Sequence, residues 1–229
     1  LAILDDDSIA HPRLEFVCTV SEEVGMEGAS SIDVSMLKGK KLLNMDSEEE
    51  GIMLASCAGG CSSRVTLKLD KNKVTGTKLS ITLSGLTGGH SGVEIDKGRG
   101  NANVLMSRIL RDVVADNNVY LAAFNGGRKD NAIPRECMAE IIVAADKAAD
   151  VKAAIENTAK EIKEEFATSD ADLKCVVDIS EGCSAEAVTY EDSIRAVSLI
   201  QSLPNGIMRM SQDIDNLVET SLNLGVVSL

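Results

Sequence analysis

Residues 16–29 read Phe-Val-Cys-Thr-Val-Ser-Glu-Glu-Val-Gly-Met-Glu-Gly-Ala, and the interpretation of the N-terminal part depends on this stretch. An apolar run rich in β-branched residues is followed by two adjacent carboxylates, Glu22 and Glu23, and then by a glycine-containing turn. Side chains alternate along an extended strand, so neighbouring carboxylates at its end project to different sides. One of them can bind a cation while the other acts as a base on what the cation holds. The alternative is an ordinary solvated turn at the end of a strand.

A second apolar run, Leu-Leu-Asn-Met at 42–45, also ends in a carboxylate, Asp46. Two such runs fit neighbouring strands of an open α/β sheet, in which ligands collect at the carboxyl ends of the strands. The sequence therefore predicts that Asp46 joins the acidic pair at 22–23 in one site. His11 precedes a proline in an acidic loop, and we interpret it as a surface residue rather than a metal ligand.

Composition restricts the class of protein. The chain has 229 residues, of which 44% are hydrophobic but only 2% aromatic, so its core must consist mainly of aliphatic side chains. The net charge is −13, and a negative surface repels phosphate backbones, so no nucleic-acid partner is predicted. No apolar run is long enough to cross a bilayer and no signal-peptide pattern is found, so no membrane partner is predicted either.

The cysteines indicate a reducing cellular compartment rather than a metal site. None of the six has the compact spacing of a zinc site, and the pair Cys57-x-x-x-Cys61 has no second pair to complete a metal site. We interpret them as small hydrophobic residues in a reducing compartment, and we expect a cytoplasmic protein. The six are Cys18, Cys57, Cys61, Cys137, Cys175 and Cys183.

The middle of the chain has a different pattern. Beyond Gly59-Gly60, alternating runs indicate antiparallel strands, and a helical repeat begins after Asn101, a plausible N-cap. The predicted elements are strands at 64–70 and 78–86, a helix from 101, strands at 119–125 and 136–145, a helix at 149–167 and a strand at 173–180. This order contains the split βαβ arrangement of a ferredoxin-like α+β domain. We predict that domain at 62–183, inserted between a first part at 1–61 and a return segment at 184–229.

Five segments, in this order along the chain, resemble the M20 family of metallopeptidases, most closely its aminoacyl-histidine dipeptidase branch. The segments are Thr-Val-Ser-Glu-Glu-Val-Gly-Met-Glu-Gly-Ala at 19–29, Leu-Asn-Met-Asp-Ser-Glu-Glu at 43–49, Gly-Leu-Thr-Gly-Gly-His-Ser-Gly at 85–92, Asn-Ala-Ile-Pro-Arg at 131–135 and Glu-Thr-Ser-Leu-Asn at 219–223. The resemblance implies an α/β fold. A partial zinc-peptidase-like catalytic domain would be interrupted by an inserted α+β ferredoxin-like lid and dimerisation domain.

The resemblance also implies roles for single residues. Glu22 corresponds to the general base that deprotonates a metal-bound water and later protonates the leaving amine. Glu23 and Asp46 correspond to metal ligands, each on a different ion of a centre with two divalent metal ions, for which Zn²⁺ is expected and Mn²⁺ or Co²⁺ is an alternative. His90 resembles the lid histidine that stabilises the tetrahedral oxyanion, and Asn131 the lid asparagine that contacts substrate. Without the resemblance, His90 would be an ordinary loop histidine and Asn131 an ordinary turn residue.

The departures from the family pattern matter as well. The family supplies two metal-binding histidines, a bridging aspartate and a substrate-binding arginine, but this chain has only His11 and His90. The chain also begins Leu-Ala-Ile-Leu without an initiator methionine. We therefore expect it to be an internal fragment of a longer enzyme and to be inactive by itself.

The expected function of the parent is the metal-dependent hydrolysis of Xaa-His dipeptides, with a small peptide as substrate and a homodimer formed through the lid. Two alternatives stay open. One is another M20 hydrolase, such as an N-acyl-amino-acid deacylase or an aminotripeptidase. The other is a non-catalytic oligomerisation module with a vestigial metal site.

Overall fold

The computed structural model describes residues 2–22, 25–45, 50–54, 56–115 and 118–229. The chain divides into two compact units, Leu1–Cys61 and Ser62–Leu229. The further division at 183/184 stays a prediction. Within the described residues, no helix is both long and apolar enough to cross a membrane.

The first unit contains short helical elements. They are α1 (Ala2–Asp5), α2 (Glu27–Ser31) and a single 3₁₀ turn at Val34–Met36. The strands predicted around residues 16–20, 42–46 and 51–58 are not formed in the described part of this unit, and Phe16 and Val20 are 65% and 72% exposed. An apolar run becomes a strand only when a neighbouring strand pairs with its N–H and C=O groups. The described residues of 1–61 supply no such neighbour.

The second unit contains three helices and nine strands within its described residues. The helices are α3 (Ala102–Val114), α4 (Ala148–Glu165) and α5 (Tyr190–Ser202). The strands are β1 (Lys71–Ser84), β2 (Gly89–His90), β3 (Tyr120–Gly126), β4 (Ala132–Ile133), β5 (Cys137–Val143), β6 (Lys174–Val188), β7 (Gly206–Met210), β8 (Val218–Leu222) and β9 (Val227–Ser228).

Five of these strands form one antiparallel sheet in the order β6-β1-β5-β3-β9. The chain runs β1-α3-β3 and then β5-α4-β6, so each helix connects strands that are not neighbours in the sheet. This is the split βαβ arrangement of a ferredoxin-like domain. The predicted α+β fold of the middle of the chain is therefore confirmed. The short strands β2 and β4 pair with each other, as do β7 and β8.

Strand β1 shows why the sheet forms here. Its residues Leu79, Ile81 and Leu83 are fully buried, while the residues between them are at least partly exposed, as expected where one face of a sheet covers a core. The strand is longer than predicted because β6 pairs with it from Lys71 to Ser84. Residues 64–70 alternate in the same way but precede the strand.

Helices and sheet enclose a single main core of aliphatic side chains. Helix α3 contributes its buried face, and the predicted N-cap is confirmed because the Asn101 side chain accepts hydrogen bonds from the amides of Asn103 and Val104. Helix α5 also belongs to this unit, since the Leu121 amide donates to Ser193 Oγ at 2.8 Å. The largest fully buried side chains are Phe124, Leu79, Ile81, Leu83, Leu86, Leu105, Met106, Ile109, Leu110, Leu121, Ile141 and Ile142.

Candidate functional site

Glu22 lies in a tight turn of the first unit. The Met26 amide donates to the carbonyl oxygens of Ser21, at 2.9 Å, and of Glu22, at 3.2 Å. Gly25 has a φ of +112°, a conformation that residues with a side chain rarely adopt, so the turn depends on glycine at this position. The Glu22 side chain is exposed. The turn therefore leaves this carboxylate accessible, as a general base requires.

The predicted metal ligands Glu23 and Asp46 lie outside the described residues. Within the described part of the chain, no group of three or more His, Cys, Asp or Glu side chains is arranged to hold a metal ion. His11 is exposed, and its Nδ1 lies 2.7 Å from the carbonyl oxygen of Pro12. The described residues alone do not form a metal centre.

His90 lies in the second unit, at the end of β2, and its ring is held by the loop that follows. The amides of Gly92 and Val93 both donate to His90 Nδ1, at 3.0 and 3.3 Å. Backbone amides can only donate, so Nδ1 must carry a lone pair, and the proton of the neutral ring is on Nε2. The side chain is exposed. The loop therefore selects the tautomer in which His90 is an N–H donor at Nε2.

A carboxylate and a guanidinium brace the same loop. Glu94 accepts from the His90 amide at 2.9 Å and from Arg99 Nη1 at 2.9 Å, and Arg99 also donates to the carbonyl of Gly88. The hydrogen bond from the His90 amide, followed by that from Arg99, holds the pKa of Glu94 below its ordinary value. Glu94 is therefore charged at neutral pH, which strengthens both hydrogen bonds.

The backbone conformation of this loop requires its glycines. Gly88 has a φ of +66°, and a Cβ there would lie 2.3 Å from Arg135 Cγ. Gly89 has a φ of +137°, and a Cβ there would lie 2.4 Å from Arg99 Nη1. Residues with a side chain rarely adopt either φ value, so the Gly-Gly pair before His90 is needed for the loop to fold around it.

Asp170 fixes both ends of the loop and was not identified from the sequence. This buried carboxylate accepts from the Thr87 amide and from the Gly100 amide, each at 2.8 Å, and also from Ser169 Oγ. Residues 87 and 100 are the two ends of the segment that carries His90. An aspartate in a polar loop gives no local signal of such a role, because its partners are distant in sequence.

Asn131 lies beside the histidine loop. Strand β4 pairs with β2, with Ala132 opposite His90, and the Ser91 amide donates to the carbonyl of Asn131 at 2.9 Å. The Asn131 side chain is exposed. The structure therefore brings together two of the predicted site residues, His90 and Asn131, although 41 positions separate them in the sequence.

The fold and this histidine-bearing loop define a class of domain. Residues 81–170 match the family description "Peptidase dimerisation domain" of the M20 family. The chain is also 41% identical over its full length to the "Cytosol non-specific dipeptidase" of Escherichia coli (strain K12), of which it covers 47%. The second unit is thus similar to the dimerisation domain of M20 peptidases, and the chain as a whole is similar to about half of a dipeptidase.

A solved structure shows the same similarity. The "Crystal Structure of Aminoacylhistidine Dipeptidase from Vibrio alginolyticus" matches with a TM-score of 0.69 and 31% sequence identity, over 92% of this chain and 43% of that one. A second curated relative, "Uncharacterized protein YqjE" of Bacillus subtilis (strain 168), is 22% identical over 93% of this chain and 53% of its own length. The chain thus spans about half the length of the curated relatives it matches.

Proposed function

We propose that the whole protein containing this chain is a metal-dependent dipeptidase that hydrolyses Xaa-His dipeptides. The observation that carries the proposal is similarity along the entire chain to a protein named as a dipeptidase, at 41% identity. The aminoacylhistidine dipeptidase of Vibrio alginolyticus supports the narrower choice of a C-terminal histidine in the substrate.

The proposed catalytic groups of the first unit are carboxylates. Glu22 is the general base, and Glu23 and Asp46 are ligands of a centre with two divalent ions, for which Zn²⁺ is favoured and Mn²⁺ or Co²⁺ is an alternative. A bound divalent ion would supply the acidity that brings the pKa of a water molecule towards neutrality. A carboxylate then suffices to accept the proton.

The proposed groups of the second unit act on the substrate. His90 donates a hydrogen bond from Nε2 to the oxyanion that develops when the peptide carbonyl becomes tetrahedral. The fixed tautomer supports this role, because the two loop amides occupy Nδ1 and leave Nε2–H as the ring's donor. Asn131, immediately before the strand that pairs with β2, contacts the substrate.

Steady-state assays of the full-length protein test the reaction. We expect turnover of Ala-His that is lost on treatment with a chelator and restored by Zn²⁺, Mn²⁺ or Co²⁺, because removing the ions removes the acidified water. Ala-Ala, Ala-Ala-Ala and an N-acetyl-amino acid serve as comparison substrates. Equal rates on Ala-Ala would overturn the Xaa-His preference, and preferred cleavage of the tripeptide or of the acetyl group would replace it with an aminotripeptidase or a deacylase. If none of these substrates is hydrolysed in a metal-dependent reaction, the result would favour the non-catalytic oligomerisation module.

We also propose a homodimer formed through the second unit. The match of residues 81–170 to a dimerisation domain supports it, and so does the position of β6 at one edge of the described sheet. An edge strand has N–H and C=O groups that can pair with another chain. Val176 and Ile179 on this strand are 46% and 41% exposed. Both side chains are apolar, so burying them against a second copy would be favourable.

Light scattering tests the dimer. We expect the 229-residue chain to have twice its monomer mass of 24.2 kDa, and the double variant Val176→Lys, Ile179→Lys to have the monomer mass, because two charges cannot be buried against a second copy at low cost. Val93→Lys, at an exposed position away from β6, is the matched control and should leave the mass unchanged. A wild-type chain that stays monomeric at tens of micromolar would contradict the proposal.

We further propose a cytoplasmic location, which subcellular fractionation checks. The name of the Escherichia coli relative supports it. All six cysteines lie among the described residues and none forms a disulfide, as is usual in a reducing compartment.

A further inference from the structure

We propose that Asn223 is a positioning residue that sets the geometry of the His90–Asn131 pair. It acts through hydrogen bonds to the backbone on both sides of Asn131 and is itself held by Asn101. The catalytic meaning of this inference rests on the proposed function, since that function assigns the roles of His90 and Asn131. The positioning itself depends only on contacts within the second unit.

Asn223 holds the segment of Asn131 from both sides. Its Nδ2 donates to the carbonyl oxygens of Asp130 and Ala132, each at 2.9 Å. A side-chain amide has two N–H groups, so both are used on carbonyls that flank one residue. The backbone on both sides of Asn131 is therefore held in place by the side chain of a residue that is distant in the sequence.

The same hydrogen bonds reach His90. Ala132 is the residue paired with His90 between β4 and β2, and the Asn131 carbonyl accepts from the Ser91 amide. A shift of residues 130–132 would therefore displace the backbone of His90 and the loop amides that hold its ring.

A network of three asparagines, Asn101, Asn205 and Asn223, orients the Asn223 amide. Asn101 Nδ2 donates to Asn223 Oδ1 at 3.2 Å and to Asn205 Oδ1 at 2.9 Å, while Asn101 Oδ1 caps α3. Asn205 precedes β7 and Asn223 follows β8, so the network ties the base of this hairpin to the start of α3. Asn101 and Asn223 each accept through the oxygen and donate through the nitrogen, and Asn205 Oδ1 accepts from Asn101 and from the Leu224 amide, so flipping any of the three amides would lose hydrogen bonds.

Backbone packing around the network leaves little room for adjustment. Gly127 has a φ of +74°, and a Cβ there would lie 1.7 Å from the carbonyl oxygen of Gly225. A Cβ on Gly225 would lie 2.8 Å from the Cα of Asp130. Residues 223–225 therefore lie directly against the turn before Asn131, and the position of that turn depends on them.

Nuclear magnetic resonance of the 229-residue chain tests the positioning without an assay. The chain has two histidines, so ¹⁵N-histidine labelling gives only the signals of His90 and His11. We expect wild-type His90 to show the Nε2–H tautomer. In Asn223→Asp a carboxylate oxygen replaces the donor and faces two carbonyls, so the His90 signals should move towards a mixture of tautomers. The His11 signals should not move. Asn157→Asp, at an exposed site on α4, is the matched control.

Two further measurements keep the test decisive. Asn223→Ala removes the donors without adding a charge, and thermal melting shows whether each variant is folded. In the wild type, both Asn223 side-chain amide protons should give nuclear Overhauser contacts to residues 130 and 132. Absence of those contacts, or unchanged His90 signals in folded variants, would overturn the inference.

In the full-length protein, we expect Asn223→Asp to lower kcat by roughly tenfold to a hundredfold with bound metal unchanged, because small misplacements of catalytic groups have effects of this size. The two proposals can fail separately. If the His90 signals shift but the full-length protein hydrolyses no dipeptide, the positioning stands and the proposed function falls. If the full-length protein is active and Asn223→Asp leaves both kcat and the His90 signals unchanged, the positioning falls and the function stands.

Discussion

Replacing His90 with alanine in the full-length protein is expected to lower kcat by about 10²–10³-fold, the usual effect of removing one oxyanion donor. The substrate carbonyl is a weaker acceptor than the oxyanion, so the hydrogen bond from Nε2 strengthens as the tetrahedral species forms. KM should therefore change much less than kcat. Steady-state kinetics on a His-containing dipeptide measure both parameters.

The control for this variant is His11→Ala. His11 is the other histidine of the chain, and its ring nitrogen contacts the adjacent Pro12 carbonyl at an exposed position of the first unit. Its replacement should leave kcat and KM as they are. An unchanged kcat in His90→Ala would remove this residue from the reaction, and a change confined to KM would make it a binding group.

The structure also explains which nitrogen of the neutral His90 ring carries the proton. Its Nδ1 is occupied by the amides of Gly92 and Val93, and its backbone amide is bound to the charged Glu94. A proton on Nδ1 would break these contacts, because a protonated nitrogen cannot accept a hydrogen bond. Of the two neutral tautomers, the loop therefore stabilises the one with its proton on Nε2.

Much of the second unit could be predicted from the sequence because its signals are local. The alternation in β1, the N-cap at Asn101 and the order of strands and helices all follow from side-chain periodicity and turn chemistry. The Gly-Gly-His loop could be recognised in the sequence for the same reason, because its glycines mark backbone conformations that other residues rarely adopt.

Other features depend on contacts that no short stretch of sequence encodes. Asp170 and Asn223 bond to backbone groups 70 or more positions away, so neither could be assigned this role from its neighbours. The length of β1 is set by its pairing with β6, and the predicted strands of the first unit lack partners in its described residues. Pairing is a property of the tertiary structure, which propensity does not supply.

Replacing Glu22 with glutamine in the full-length protein is expected to give the largest loss, because a general base contributes about 10²–10⁴-fold to the rate. Glutamine keeps the shape of the side chain but cannot accept the proton. Bound metal should be retained, since the proposed ligands are Glu23 and Asp46. Kinetics and metal analysis of the same preparation measure the two quantities.

The comparison among neighbouring carboxylates makes this prediction specific. Glu23→Gln and Asp46→Asn should lower bound metal as well as turnover, whereas Glu27→Gln, at the exposed start of α2, should change neither. If Glu22→Gln loses its metal and Glu23→Gln keeps it, the two adjacent glutamates exchange roles. The two variants together therefore decide which of the adjacent glutamates binds the ions and which accepts the proton. Turnover that is unchanged in both variants would leave the acidic pair as a solvated turn and would remove the first unit from the chemistry.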